Sequence, residues 1–220
     1  MKLMSPDEAR KLDFWLQCYM CETFYCPNQP LSDDNKKYFW NESKNTPFEN
    51  HKNYGEPEKV LASIDEHPLL PNGKRPKGYV NLTSFYTAQK YRGLGLGSEL
   101  MKELQNKYKK IYLDVLSINK PAISIYKHFG FKKVYSYKVP YTNDDGTEDY
   151  DLFYIMGYSE DGDLSDLEEQ LKSSLDDAQF IFKRAEKYWV FSSSVVHIDK
   201  QMNEMKRSKV VSSENPKSRN

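Results

Sequence analysis

Residues 91–100 read YRGLGLGSEL: an arginine, then Gly93, Gly95 and Gly97 alternating with leucines, then the start of a helical run. The stretch before it, residues 77–87 (KGYVNLTSFYT), is rich in β-branched and aromatic residues and predicts a strand. The residues from Ser98 to Tyr108 predict a helix with Leu100, Leu104 and Tyr108 on one side. A strand-to-helix turn does not need three glycines, each of which loses more conformational entropy on folding than another residue. A dinucleotide fold would need G-x-G-x-x-G/A, but its third position falls on Ser98 or Leu100, and Asp114, some 20 residues on, sits within a strand. A P-loop would need Gly-Lys-Ser/Thr, which is absent. What remains is an anion cradle. Amides at the mouth of a helix point one way, the helix dipole adds positive potential, and glycine lets oxygen atoms reach the backbone.

Two segments in this order carry a resemblance. RGLGLG, residues 92–97, is similar to the R/Q-x-x-G-x-G/A loop, and NKPAISIYKHFGF, residues 119–131, to the N-x-x-A-x-x-x-Y-x-x-x-G-F segment, of the GNAT N-acetyltransferase superfamily. The resemblance spans about residues 60–158. It implies an α/β (α+β) fold with a mixed sheet that binds acyl-coenzyme A, and acetyl transfer from acetyl-coenzyme A to a primary amine of a small molecule, peptide or protein. It further implies that the strand positions Phe85, Tyr86 and Thr87 carry the pantetheine arm, and that a strand amide near Phe85 meets the oxyanion. The amides of Arg92, Gly93, Leu94, Gly95, Leu96, Gly97 and Ser98 would hold the pyrophosphate, and Asn119 would contact the arm. Tyr126 would be the general acid for the leaving thiolate, since a phenol is protonated at neutral pH. Beside these roles stand structural ones: Asn119 precedes Pro121 by two and can cap a helix, and Tyr126 can be a core residue between Ile125 and Phe129.

The rest of the chain builds around this centre. Ser5-Pro6-Asp7-Glu8 is a capping box opening a helix to about Tyr25, with Ala9, Leu12, Leu16, Tyr19, Met20 and Thr23 at helical spacing. A short helix is expected at 33–42 and strands at 59–65, 111–116, 132–139 and 150–156, the last two joined by a turn at 143–146. A helix opens at Pro121 and closes at Gly130. Only two of the three antiparallel strands usual before the glycine loop can be read, a third being either hidden in 44–58 or lost, and only Met1–Met4 remain for a first strand. The expected domain therefore runs over residues 1–158, with its N-terminal strands reduced. A helical extension (159–205) and a disordered tail (206–220) complete the chain. Leu164, Leu167, Leu171, Leu175, Ala178, Phe182, Ala185 and Trp189 form an apolar stripe that must cover the sheet or a second copy of the chain.

The 220 residues carry 38% apolar and 14% aromatic side chains, enough for a core. Formal net charge is zero, and the basic C-terminal stretch lacks interleaved aromatics, so no nucleic-acid partner is expected. No stretch can span a bilayer and no secretory signal opens the chain, which predicts a cytoplasmic protein without a membrane partner. Cys18, Cys21 and Cys26 lack a second pair and the four histidines lack ligand spacing, so no metal is expected. The acceptor's base is not legible. Strand 77–87 has no acid, and Asp65, Glu66 and His67, which end the preceding strand, read more simply as solvated hairpin residues than as the base. A non-catalytic acyl-coenzyme A binder or a protein-interaction module on the same fold is the alternative.

Overall fold

A computed structural model describes residues 2–25, 27, 30–70, 75–142 and 147–175. Its centre is a six-stranded mixed sheet in the order β1-β2-β3-β4-β6-β5. The strands are β1 (Lys52–Glu56), β2 (Val60–Asp65), β3 (Val80–Thr87), β4 (Lys110–Leu116), β5 (Lys132–Thr142) and β6 (Glu148–Ser159). All neighbours run antiparallel except β3 and β4. That single parallel pair is the consequence of the crossover through α3 (Leu96–Lys107), as a parallel connection requires.

Among the described residues, helices lie on both faces. On one, α3 and α4 (Lys120–His128) bury Leu100, Met101, Leu104 and Ile123 against Ala62, Leu82, Leu113 and Met156. On the other, α1 (Pro6–Met20) lays Ala9 and Leu12 on Leu61 and Tyr86. Further along the same face, α5 (Ser165–Leu175) lays Leu167 and Leu171, with Leu164 just before it, on Tyr79, Tyr112 and Ile155. Lys110 and Tyr79 tie α5 down through Asp166, at 2.6 and 2.8 Å. α2 (Asp33–Ser43) packs Phe39 beside Cys21 and Leu31.

Three readings of the sequence are decided by the structure. The strand that could not be read is β1, so three antiparallel strands do precede the glycine loop, and residues 2–4 extend the sheet by pairing with β1: the Met4 amide donates to the Asn53 carbonyl at 2.9 Å and the Gly55 amide to the Lys2 carbonyl at 3.0 Å. The sequence KNYGE hid the strand because it is polar and holds a glycine. Gly55 is there by necessity, with φ +143° and a would-be Cβ only 2.0 Å from the Val60 carbonyl oxygen. Second, the first helix is α-helical only to Met20 and continues as a π-helical turn, Cys21–Tyr25. Third, of the two covers expected for the apolar stripe, the chain's own sheet takes it as far as Leu171. Its remainder from residue 176 to 189, like the 143–146 turn, Cys26 and the basic tail, lies outside the described residues.

Among the described residues no helix is long and apolar enough to cross a membrane, and no cluster of three metal-ligating side chains occurs. Burial pushes the Cys18 thiol up to about 12, so it is an inert packing group.

Candidate active site

β3 and β4 are in register at only two pairs, Val80 with Ile111 and Asn81 with Tyr112, and then part. The cause lies in β3. Ser84 pairs with Ser63 and Leu82 with the next residue, Ile64, so Thr83 is an extra residue, a β-bulge. A bulge bends its strand and increases the local twist. The backbone of residues 82–87 therefore faces an opening instead of a neighbouring strand. The bulge also reverses which side chains face which way: Leu82 and Phe85 both point to the α3/α4 face, while Ser84 and Tyr86 point to the α1 face.

At the open end of this fork the chain turns into α3. Gly93 and Gly95 hold φ +80° and +82°, a left-handed conformation that a side chain would strain, and a Cβ built on either would meet nothing within 4 Å. Space is free there; what glycine supplies is the backbone path. Gly97 differs, since its Cβ would lie 3.0 Å from Thr87 Oγ1 and close to the Phe85 ring, so the helix start sits against the end of β3. Gly95 is the N-cap and supplies no side-chain bond, so the first amides of α3 have no intrahelical partner. The Arg92 amide bonds back to the Gln89 carbonyl and the Glu99 amide to the Gly95 carbonyl. Between them the loop is open to solvent, Leu94 being 68% exposed. This is the arrangement of bare, convergent amides that an anion needs.

Each expected residue can now be placed. Arg92 is exposed; its Nε donates to the Thr87 carbonyl at 3.0 Å and its guanidinium lies 4.1 Å from the centre of the Tyr19 ring. It thus clamps the loop to β3 and α1. Tyr86 points away from α3, its ring buried beside Arg92, so only its backbone faces the fork. Asn119 is the N-cap of α4, its Oδ1 accepting from the Ala122 amide at 3.2 Å, while its amide reaches Met20 Sδ at 3.6 Å. Tyr126 crosses from α4 to the fork, its ring centre 6.3 Å from that of Phe85 and 5.7 Å from that of Phe131. Burial among these rings raises its phenol far above the ordinary value, so the group stays protonated. The structure therefore brings Phe85, Thr87, Gly97 and Tyr126 to one face of the fork, and puts the side chain of Tyr86 on the other.

That other face is polar in a way the sequence did not reveal. Ser84 and Gln17 both donate to Asp13, at 3.0 and 2.7 Å, and burial lifts that carboxyl to about 6. Ser63 donates to Asn53, so the Ser63 oxygen 3.1 Å from His51 Nδ1 acts as an acceptor. His51 therefore carries its proton on Nδ1 and leaves Nε2 bare, and burial lowers its pKa. Asp114 lies two residues past the last β3–β4 pair, half-buried, with the Tyr137 hydroxyl 3.2 Å from its Oδ1. Its position within a strand had counted against a ribose contact; here that same position sets it at the fork. Of the hairpin residues considered as bases, Glu66 accepts from Tyr108 at 2.6 Å and Asp65 from the His67 amide at 2.8 Å, and His67 is exposed.

A sequence model of the acetyltransferase (GNAT) family matches residues 13–131, from α1 to the end of the Tyr126 segment. A curated relative, the N-alpha-acetyltransferase of Sulfurisphaera tokodaii, is 42% identical over 65 residues, which are 26% of this chain and 37% of that protein's length. Similar solved structures include the ribosomal-protein-S18-alanine N-acetyltransferase from Escherichia coli, at 18% identity over 72% of this chain and 91% of the other, TM-score 0.42. A GNAT-family acetyltransferase from Streptococcus pneumoniae aligns at 19% identity over 72% and 97%, TM-score 0.45. With the family match covering more than half of its length, and the glycine loop and the α4 segment lying within that match, the chain belongs to the GNAT acetyltransferase family.

Proposed function

We propose that this protein transfers the acetyl group of acetyl-coenzyme A to a primary amine. The observation that carries the reading is the open fork between β3 and β4, with free helix-opening amides at one end and a protonated phenol at the other. In this reading the amides of residues 92–98 bind the diphosphate, with Arg92 fixing the loop through Thr87 and Tyr19. The unpaired edge of β3 from Phe85 to Thr87 receives the amide groups of the pantetheine arm, much as an added strand would. Asn119 closes the far side of the arm from the start of α4. Tyr126, beside Phe85, donates its proton to the sulfur as the carbon–sulfur bond breaks.

Acceptors enter from the face that α1 and α5 flank, because the α3/α4 face is filled by apolar side chains. The likeness to an N-alpha-acetyltransferase makes a peptide's N-terminal amine the first acceptor to test. The decisive experiment offers acetyl-coenzyme A with a panel of peptides, polyamines and small amines, and follows both thiol release and the mass of the acceptor. A gain of one acetyl group matched by one thiol is expected. Coenzyme binding by calorimetry with thiol release no faster than the blank across the panel would instead make the protein a binder.

A further inference from the structure

Resting on that reading, we propose that Asp13 is a positioning residue: by accepting the Ser84 hydroxyl it fixes where β3 bulges, and so aims the Phe85 amide at the carbonyl oxygen of the thioester. The first observation is the direction of the strand's backbone. The Ala88 amide donates to the Lys59 carbonyl at 2.8 Å, so Ala88 and, by the alternation of an antiparallel ladder, Tyr86 and Ser84 turn their backbone groups to β2. Phe85 and Thr87 turn theirs to the fork, where the Thr87 carbonyl accepts from Arg92. The Phe85 amide thus stands in the open edge, one residue beyond the serine that Asp13 holds. A donor stabilises an oxyanion best when it is already aimed at it before the charge forms.

The second observation is the place of the bulge. Thr83 itself is exposed, its hydroxyl donating to the Ser63 carbonyl at 3.1 Å. Were the extra residue one place later, opposite Ala62, Ser84 would turn to the α3/α4 face, since a shift of one reverses the side chain. The 3.0 Å bond from Ser84 to Asp13 exists only with the bulge where it is.

The third observation is cost. Asp13 is 1% exposed, and among the described residues no cation pairs with it. Its two oxygens are met by the Ser84 hydroxyl and, at 2.7 Å, by the Gln17 amide one turn along α1. Burial lifts the carboxyl to about 6, so it is mostly ionised at neutral pH, and a buried charge without a counter-charge is costly. An apolar side chain would anchor α1 on the sheet without that cost, as Ala9 and Leu12 do. What the carboxylate adds is a directed acceptor at one point of β3.

The test compares kcat with a peptide acceptor, acetyl-coenzyme A affinity and thermal stability for Asp13→Leu, Asp13→Asn, Ser84→Ala and the double variant Asp13→Leu/Ser84→Ala. Asp13→Leu and Ser84→Ala should each lose up to about 100-fold in kcat, as a group misplaced by about 1 Å does. Both should bind the coenzyme nearly as the wild type does, because the diphosphate amides are untouched. Asp13→Asn keeps an oxygen for Ser84 and should recover most of the rate. The double variant should be no slower than Asp13→Leu, since the two residues act as one unit. An Asp13→Leu that loses stability but turns over within about threefold of the wild type marks Asp13 as an anchor only, which overturns the assignment and leaves acetyl transfer standing. An Asp13→Asn as slow as Asp13→Leu, or losses that multiply in the double variant, overturn it equally. Should Asp13→Leu fail to fold, Ser84→Ala decides, and an unchanged kcat overturns the assignment. A wild type that binds acetyl-coenzyme A but acetylates nothing removes the reading of function, and the positioning role with it.

Discussion

The two faces of the β3–β4 fork are built from different materials. On the α3/α4 face, the glycine loop, Phe85 and Tyr126 come from two short segments, residues 85–98 and 119–131, and the surroundings are apolar. On the α1/α5 face, Asp13, His51, Asn81, Asp114 and Tyr137 come from five separate stretches of the chain and share a face only in the folded sheet. Binding a diphosphate needs backbone geometry, which a local motif can specify. Receiving a particular amine needs side-chain chemistry, which a sheet can assemble from anywhere. The two faces should therefore fail differently when altered.

The largest expected effect tests whether α5 belongs to the acceptor face alone. Leu167 is fully buried, its Cδ2 within 3.0 Å of where a Cβ on Gly157 would stand. Leu167→Ala should destabilise the protein by about 3 kcal/mol in chemical denaturation. Acetyl-coenzyme A affinity of the molecules still folded should not change, and a parallel loss of affinity would break the division between the faces.

Tyr126→Phe sharpens the other side. The ring and its packing on Phe85 and Phe131 remain, so coenzyme affinity should hold, while kcat falls about 100-fold. Turnover undiminished in this variant would return Tyr126 to the core. Gly95→Val should weaken acetyl-coenzyme A by roughly tenfold, since forcing a side chain into φ +82° costs about 1–2 kcal/mol; calorimetry reads this directly, and the acceptor's KM should stay put.

The last test is one of linkage. The Asp114 carboxyl is raised from 3.8 to about 7, so between those values the folded state holds a proton that the unfolded chain has released. Its contribution to stability is lost as pH rises through that window and is flat above it. The midpoint of Asp114→Asn relative to wild type should accordingly climb from about pH 4 to about pH 7. A difference that stays level across that range would mean the carboxyl titrates normally and is not buried as described. His51, whose pKa is lowered, works in the opposite direction in both proteins and cancels in the comparison.

How legible the molecule was follows the same division. α2, α3, α4 and β2 to β6 stand within a few residues of where periodicity and turn residues put them. The first helix was right in its capping box, with Ser5 and Glu8 bonded reciprocally, and wrong in its last turn, where the ladder slips to a π-turn with no residue to announce it. β1 escaped because five residues with a single aromatic, Tyr54, among polar neighbours carry no alternation, and because its glycine reads as a breaker until the Val60 carbonyl is seen pressed against it. Asp114 was noticed for a different ligand and set aside for lying within a strand; only the splitting of that strand from β3 gives the position its meaning.

By itself, then, the sequence determined the elements whose signals are local: caps, the glycine-rich turn, periodic apolar faces, and the two segments that mark the family. Tertiary structure decided what depends on the meeting of distant residues. A one-residue bulge at Thr83 parts two strands, that parting gives Asp114 and Asn81 their place at its apex, and burial then raises the pKa of Asp114 and of Tyr126. Desolvation depends on everything packed around a group, and no short stretch of chain records it.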